Sequence, residues 1–458
     1  MSQKGRFNNS IRKEDQTMST NKTGVTLPDG FMAAAAEAGI KYQNRLDMAM
    51  IYSEVPCKVA GTFTTNQVKA APVKWDQHIV YDCGTARAVI CNSGIANAAT
   101  GQEGMDCCRK SAEAAAKALN AANEAEAKVL NAANEAAVNS EEKTDTEKQG
   151  KSTPVTTDDI LVASTGVIGM QIPVDKISAG VGMMIPKLSP TEESAHLAAQ
   201  AIMTTDTVPK EVGIQVEIGG KTVSIGGMCK GSGMIHPNMC TMLSFLTTDA
   251  AISQEMLQKA LSAVVVDTYN MVSVDGDTST NDTVLLLANG MAGNAEITEE
   301  NADYQAFCEA LFEINRQLAR KIASDGEGAT ALFEVKVKGA ADKASAVTLA
   351  KSVVTSSLTK AAIYGHDANW GRIMCALGYA GIEFDPDQVE LWLTSSAGTV
   401  KIFENGSAAD YSEEEATKIL SEPEVTAIAD MHQGDGEATA WGCDLTHEYV
   451  SINADYRS

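Results

Sequence analysis

The alternation of apolar and polar positions along the chain predicts a mixture of β-hairpins and helices. Short apolar runs divided by turn residues between 31 and 100 predict strands with exposed connections. The stretch GIQVEIGGKTVSIGGM at 213–228 predicts a hairpin with a Gly-Gly-Lys turn. Helical patterns occupy 194–203 and 300–323, whereas the terminal DLTHEYVSINADYRS alternates like a last strand. Because no regular βαβ rhythm is present, we predict an α+β fold, a layered α/β sandwich, instead of a Rossmann sheet.

One region interrupts this pattern. Residues 102–138 are alanine-rich with a helical pattern, and LNAANEA occurs twice within them, at 119–125 and 130–136. The offset of eleven residues equals about three helical turns, which is typical of a local duplication along one helix. Residues 139–157 are polar and charged, which predicts an exposed, disordered segment. We therefore expect a low-complexity insertion at about 119–157.

Composition narrows the class of protein. The chain has 458 residues, of which 44% are apolar and 21% charged, and its net charge is −24. This length allows a large core and two or more lobes. The negative charge argues against a nucleic-acid groove or contact with an anionic membrane, and no apolar run is long enough to cross a bilayer. We expect a cytoplasmic protein with a small-molecule substrate, preceded by a disordered polar leader at 1–23.

Several familiar motifs are absent. The ten cysteines are scattered without a CxxC pair, which favours reduced thiols, and the six histidines show no metal-ligand spacing, so no metal is predicted. GGKT at 219–222 lacks the first glycine of a phosphate loop, and KGSGM at 230–234 lacks the leading glycine of a nucleophile elbow. DGDTSTND at 275–282 starts like a calcium loop but places Leu286 where that loop needs glutamate.

A threonine stands at an unusual junction in KGSGMIHPNMCTML, residues 230–243. A glycine-rich, turn-prone segment precedes Thr241, and an apolar run follows it. A threonine in such a turn can attack the carbonyl of the preceding residue, here Cys240, and become a new N-terminus after an N→O acyl shift and hydrolysis. Its α-amino group, with an ordinary pKa of about 7.7–8.0, can then accept the hydroxyl proton. The structural alternative is a threonine that begins a strand.

The chain closely resembles the ornithine acetyltransferase family, also called the glutamate N-acetyltransferases, from about Gly24 to Ser458. The resemblance rests on stretches in the same order: NSGIANAATG (92–101), STGVIG (164–169), AIMTTDTVPK (201–210), KGSGMIHPNMCTML (230–243), DGDTSTNDT (275–283), SDGEGAT (324–330), HDANWGRI (366–373) and AWGCDLTHEYVSINADYRS (440–458).

The resemblance implies a self-cleaving sandwich with an N-terminal nucleophile. Cleavage between Cys240 and Thr241 would give an α chain of residues 24–240, after the leader, and a β chain of 241–458. The family usually has alanine where this chain has Cys240, and because both are small we expect cleavage to be retained. The implied reaction is acetyl transfer from N-acetylornithine to glutamate through an acetyl-threonine, with acetyl-CoA as a possible further donor. The resemblance also implies that the enzyme uses no cofactor. It further implies that the chains assemble as an α2β2 heterotetramer.

The resemblance also implies roles for individual residues. Thr241 would be the nucleophile, and Thr165 and Gly166 would donate hydrogen bonds to the oxyanion. The substrate contacts would come from Thr204, Lys230, Glu327, Asn453 and Ser458. Thr204 is chosen over its neighbour Thr205, and Ser458 stands where the family often ends in threonine. His366, Asp367, Asn281 and Asp282 are interpreted as structural.

Two rival functions remain open from the sequence. An aminopeptidase or amidase with an N-terminal nucleophile would share the self-cleavage but transfer the acyl group to water. A binding protein on the same fold would leave the chain uncut and inactive. The motifs around Lys230, Glu327 and the C-terminus favour the acetyltransferase over both alternatives.

Overall fold

The computed structural model describes the backbone of residues 17–19, 23–138, 153–236 and 242–455, and the side chains of residues 23–129, 153–236 and 242–455. Its strands are β1 (Thr17–Ser19), β2 (Phe31–Ala36), β3 (Met48–Phe63), β4 (Thr85–Asn92), β5 (Ile160–Ser164), β6 (Lys210–Ile218), β7 (Lys221–Lys230), β8 (Leu243–Thr248), β9 (Val272–Ser273), β10 (Thr283–Ala288), β11 (Leu332–Ala340), β12 (Glu390–Ser395), β13 (Gly398–Glu404), β14 (Ser407–Ala408), β15 (Glu424–Asp430) and β16 (Gly436–Cys443).

The helices alternate irregularly with these strands. They are α1 (Ala71–His78), α2 (Gly101–Val138), α3 (Val174–Met184), α4 (Glu192–Ala201), α5 (Gln254–Val266), α6 (Ala302–Ser324), α7 (Lys343–Thr355), α8 (Ser357–Tyr364), α9 (Trp370–Gly378), α10 (Glu413–Leu420) and α11 (His447–Asp455). A π-helix, Ile79–Cys83, continues α1, and a 3-10 turn, Thr157–Asp159, precedes β5.

The strands form two mixed sheets. The first sheet has the order β1-β6-β7-β8-β10-β3-β4-β5, and β2 pairs with β3 beside β10. The second has the order β14-β13-β12-β15-β11-β16-β9. Pairs β8–β10, β4–β5, β11–β15 and β16–β9 are parallel, and the remaining pairs are antiparallel. The first sheet therefore joins strands from both sides of the expected cleavage position.

Both faces of the first sheet are covered, which explains its continuous apolar strands. In β10, Val284 and Leu286 face one core cluster with α5 and α6, whereas Leu285 and Leu287 face another. Helix α6 packs on β6 and β7 and also reaches β11 and β16, so it lies between the two sheets. Helix α7 packs on β11 and β16 of the second sheet. The predicted layered α+β architecture is confirmed.

The central hairpin has the geometry expected from its sequence. Strands β6 and β7 pair from Lys210–Cys229 to Ile218–Lys221. Gly219 and Gly220 have φ values of 58° and 74°, the positive φ at both positions that a two-residue hairpin turn favours. The hairpin prediction is confirmed.

The predicted terminal strand is wrong, because His447–Asp455 forms α11. The last strand is β16, and the chain leaves the sheet at Asp444, whose carboxylate accepts a hydrogen bond from Thr330 N at 2.9 Å. No residue of α11 is buried. The alternation in this segment therefore does not reflect a buried and an exposed face of a sheet.

The structure describes only part of the low-complexity insertion at about 119–157 and of the polar leader at 1–23. Helix α2 extends through both LNAANEA copies, and residues 139–152 lie outside the described residues. Residues 153–157 differ from the expected disorder, because Val155 is buried and its N–H and carbonyl each bond to the Asn120 side chain at 2.8 Å. In the leader, Thr17–Ser19 pairs with β6. Among the helices that the structure describes, none has the length and apolar character to span a bilayer.

Candidate active site

A cleft forms where the ends of β5 and β7, the start of β8 and the loops before β6, β10 and β11 meet. Its volume, counting the solvent at its mouth, is about 730 Å³. Its lining includes the predicted site residues whose side chains are described: Thr165, Gly166, Thr204, Lys230, Glu327 and Asn453. These residues come from five separate stretches of the sequence, so only the fold brings them together.

Thr165 and Gly166 form a sharp turn directly after β5. Gly166 has a φ of 129°, and a Cβ there would lie 2.3 Å from the carbonyl carbon of Gly94, so a side chain does not fit. The N–H groups of Thr165 and Val167 bond to Asn92 O and Gly94 O at 3.0 and 3.1 Å. Among the described residues, the Gly166 N–H between them has no acceptor. The turn therefore supplies a backbone donor beside the Thr165 hydroxyl.

Lys230 is the last residue of β7 and pairs with Leu243 at the start of β8. Its side chain is 9% exposed, and its Nζ lies 3.5 Å from Thr165 Oγ1 and 3.8 Å from Asp206 Oδ2. Met242 and Leu243 line the same cleft. Cys240 and Thr241, the predicted cleavage site and nucleophile, lie outside the described residues, although Thr241 is the covalent neighbour of Met242.

A buried ion cluster that the sequence did not single out lies behind Lys230. Lys210 Nζ lies 2.7 Å from Asp206 Oδ1 and 2.6 Å from Asp325 Oδ2. Asp206 also accepts hydrogen bonds from Gly231 N at 2.7 Å and Thr204 N at 3.0 Å. The cluster thus fixes the backbone of Gly231, next to the lysine that enters the cleft, and that of Thr204 in the loop before β6.

Electrostatics keep this cluster charged. Burial raises the pKa of Asp206, but Lys230 and Lys210 outweigh burial and hold its pKa well below the usual range. Burial lowers the pKa of Lys210, but the carboxylates of Asp206 and Asp325 outweigh it and raise that pKa. The AIMTTDTVPK motif contains Asp206 and Lys210, but nothing in the sequence signalled that they are buried together.

Glu327 and Asn453 meet in the same cleft. Glu327 is buried, its N–H bonds to Ser232 O at 3.0 Å, and its Oε2 accepts a hydrogen bond from Asn453 Nδ2 at 2.7 Å. A Cβ at Gly233 would lie 2.3 Å from the Glu327 carboxyl carbon, so glycine is required there for this approach. Ser458, the other predicted C-terminal contact, lies outside the described residues.

Asn281 and Asp282 line the cleft next to these groups. Asn281 Nδ2 bonds to Ala96 O at 2.6 Å and Ser164 O at 2.8 Å, which ties together the strand ends beside Thr165. Asp282 is buried, and its Oδ2 has no hydrogen-bond partner among the described residues. Burial raises the pKa of Asp282 well above its usual range, which favours the protonated form of this carboxyl group. The structural interpretation suits Asn281; for Asp282 it overlooked this unpaired oxygen.

The structure also describes the two candidate threonines, Thr204 and Thr205, and the pair His366 and Asp367. Thr204 and Thr205 both line the cleft, so the choice between them stays a prediction. His366 and Asp367 do not line the cleft and lie in the connection between α8 and α9. This placement agrees with their structural interpretation.

Comparison with known proteins gives matches along nearly the whole chain. A family model described as the ArgJ family matches residues 32–133 and 124–458. An arginine biosynthesis bifunctional protein ArgJ from Thermotoga neapolitana is 47% identical over 433 residues, covering 94% of this chain and 100% of that protein. The protein of the same name from Symbiobacterium thermophilum is 48% identical over 437 residues, covering 95% and 98%.

A solved structure is similar over a shorter range. It is an ornithine acetyltransferase from Mycobacterium tuberculosis in complex with ornithine, 37% identical, with a TM-score of 0.38. The match covers 48% of this chain and 98% of the Mycobacterium tuberculosis chain.

The cleft combines hydroxyl, backbone and ammonium donors with a carboxylate, and such donors can stabilise the oxyanion of an acyl transfer. The chain belongs to the ArgJ family and is an acyltransferase of arginine biosynthesis.

Proposed function

We propose that this protein transfers the acetyl group of N-acetylornithine to glutamate through an acetyl ester on Thr241. The observation that carries the proposal is the convergence of Thr165, Gly166, Lys230, Glu327 and Asn453 on one cleft beside Met242. Membership of a family whose relatives are named for arginine biosynthesis supports the substrate class.

The first half-reaction needs a nucleophile and an oxyanion site. Thr241 Oγ attacks the acetyl carbonyl, and the α-amino group of Thr241 accepts the hydroxyl proton. The carbonyl oxygen becomes negative and takes hydrogen bonds from the Thr165 hydroxyl and the Gly166 N–H. The amide C–N bond then breaks, and ornithine leaves with the proton on its nitrogen. In the second half-reaction the amine of glutamate attacks the acetyl ester, and Thr241 is regenerated.

The charged groups of the cleft would orient the substrates. Lys230 is buried and can hold a substrate carboxylate, because a lysine acts as a compact positive charge. Glu327 would face the free ammonium group of N-acetylornithine, and Asn453 positions that carboxylate through the 2.7 Å hydrogen bond. Thr204 and Ser458 would add further substrate contacts.

Self-cleavage at Cys240–Thr241 would produce the nucleophile without separating the two parts. Strands β7 and β8 pair on either side of this bond, from Lys230–Leu243 to Ile225–Thr248. The hydrogen bonds of this ladder would hold the α and β chains together after the cut. We propose an α2β2 heterotetramer in the cytoplasm that uses no cofactor, with acetyl-CoA as a possible second acetyl donor.

The test combines protein chemistry with an acceptor assay. Intact mass and N-terminal sequencing should find a fragment that begins TMLSF, and N-acetylornithine should yield ornithine together with N-acetylglutamate when glutamate is present. Release of free acetate at the same rate with or without glutamate would replace this proposal with an amidase. An uncut chain without activity would support a binding protein.

Replacing Thr165 with valine should reduce kcat by about 10²–10³-fold, because one oxyanion donor typically contributes about 2.7–4 kcal/mol. Valine keeps the branched shape, so the turn at Gly166 should persist. Steady-state kinetics with N-acetylornithine and glutamate measure the effect. Thr222→Val, on the exposed part of β7, is the matched control and should leave kcat unchanged. Equal rates for the two variants would remove Thr165 from the oxyanion site.

Replacing Glu327 with glutamine should reduce kcat/KM for N-acetylornithine by about 10–100-fold, since a hydrogen bond to a charged group contributes about 1.5–3 kcal/mol. Glutamine can still accept the hydrogen bond of Asn453, so the change removes charge and preserves shape. Glu300→Gln, which alters an exposed carboxylate, serves as the control. An unchanged kcat/KM in Glu327→Gln would contradict its contact with the ammonium group.

A further inference from the structure

A second cluster of reactive side chains lies at the end of α1, among residues that do not line the cleft. The ligand-type atoms of His78, Cys83 and Asp158 all lie within 4.8 Å of one another. Cys83 Sγ is 4.0 Å from His78 Nε2. Sulfur, imidazole nitrogen and carboxylate oxygen are the donors found in zinc sites. We propose that these three side chains bind a zinc ion, with water in the fourth position.

The π-helix accounts for the meeting of His78 and Cys83. It spans Ile79–Cys83 and ends at Gly84, whose N–H bonds to Ile79 O five residues earlier at 2.8 Å. His78 and Cys83 are also five residues apart, the spacing that this type of helix brings together. In a regular α-helix, residues three or four apart share a face instead. Helices of this type occur frequently at functional sites.

The imidazole is oriented as in a metal ligand. His78 Nδ1 lies 2.7 Å from Asp82 Oδ2, so Nδ1 carries a proton that it donates to this carboxylate. The lone pair of Nε2 is then available on the side of Cys83. A carboxylate that accepts from the second ring nitrogen is the usual partner of a metal-binding histidine. Asp82 would therefore position His78 without touching the metal.

The third ligand comes from another part of the chain, and both parts are held firmly. Trp75 Nε1 of α1 bonds to Ile160 O at 3.0 Å, and Asp76 Oδ1 accepts from Val162 N at 2.8 Å. These bonds attach α1 to β5, directly after the turn that carries Asp158. A capping box between Thr156 and Asp159 fixes that turn. In a tetrahedral zinc site the ligand atoms lie roughly 3.5 Å apart, so small side-chain rotations suffice.

The charge of the cluster favours a divalent cation. Three carboxylates, those of Asp82, Asp158 and Asp159, lie near the Cys83 thiol. Among the described residues, no lysine or arginine forms an ion pair with these three aspartates. Zinc would supply the missing positive charge. The Zn–S bond would form as the Cys83 thiol releases its proton to solvent, and His78 and Asp158 would each donate a lone pair to the metal.

The zinc would join α1 to the segment that follows residues 139–152. No ligand or positioning residue of this cluster lines the cleft, so the proposal is independent of acetyl transfer. Because a ligand that binds only the folded protein stabilises it by mass action, zinc should raise the thermal midpoint of the full chain. The histidine and cysteine spacings in the sequence predicted no metal, since Asp158 reaches the cluster only through the pairing of β4 and β5.

The test uses the full chain after removal of metals with a chelator. Zinc titration by calorimetry should give one bound equivalent, and cobalt should give the charge-transfer absorption of a thiolate–cobalt bond. Cys83→Ser should lose this band, whereas Cys375→Ser, which alters the other exposed cysteine among the described residues, should keep it. Asp82→Asn should weaken zinc binding about 10–100-fold.

Thermal midpoints in the absence of metal show whether each variant is folded, because the substituted side chains are exposed. Persistence of the cobalt band in Cys83→Ser, or zinc affinity unchanged in His78→Ala, would overturn the proposal. Failure to bind one equivalent of zinc in the unsubstituted protein would overturn it as well.

Discussion

Replacing Thr241 with alanine is expected to leave an uncut chain of 48.3 kDa that transfers no acetyl group. The substitution removes the hydroxyl that would attack the Cys240 carbonyl and the acetyl carbonyl. Loss of a comparable serine nucleophile reduces kcat by roughly 10⁶-fold, so turnover should fall below detection. A denaturing gel with intact mass, followed by the acetyl-transfer assay, measures both effects on one sample.

Two neighbouring variants sharpen this experiment. Thr241→Ser keeps a hydroxyl and should still cleave and turn over, although at different rates. Cys240→Ala removes the thiol and introduces the residue usual in the family, so cleavage should proceed before Thr241. Cleavage or turnover by Thr241→Ala would show that another nucleophile is used, and loss of cleavage in Cys240→Ala would implicate the thiol.

Replacing Lys210 with methionine is expected to destabilise the protein by about 3–5 kcal/mol, because it leaves Asp206 and Asp325 buried without their shared cation. Methionine fills much of the same volume, so the loss of charge dominates the loss of packing. The unfolding midpoint in urea or on heating should fall clearly. Activity should fall as well, since Asp206 holds the backbone of Thr204 and Gly231 beside Lys230.

Lys259→Met is the matched control for this substitution. Lys259 also pairs with a carboxylate, that of Glu300, but both side chains are about half exposed. Exposed pairs typically contribute about 0–1 kcal/mol, so this variant should unfold close to the unsubstituted protein. Similar midpoints for the two variants would mean that water or a rearranged side chain compensates Asp206 and Asp325.

Much of the site could be read from the sequence because its residues lie in short, specific motifs. STGVIG contains Thr165 and Gly166, KGSGM begins with Lys230, and DGEGA contains Glu327. A motif gives the residue and its neighbours but not the distances to other motifs. The 3.5 Å approach of Lys230 to Thr165 depends on the order of strands in the first sheet.

The terminal segment shows why local pattern can mislead. The alternation in residues 444–458 resembles a strand, but β16 already completes the run of strands, and α11 lies exposed after it. A helix at that place still brings Asn453 to Glu327. The predicted role of Asn453 rested on the motif alone, so it did not depend on the incorrect secondary-structure prediction and stays a prediction.

By itself, the sequence determined the α+β class, the central hairpin and six of the residues that line the cleft. These features depend on local periodicity, turn chemistry and motif identity, which are properties of neighbouring residues. Only the tertiary structure decided that Lys210 is buried between Asp206 and Asp325, that burial raises the pKa of Asp282, and that Asp158 approaches His78 and Cys83. Burial and charge pairing arise between segments far apart in the chain, and no local pattern records them.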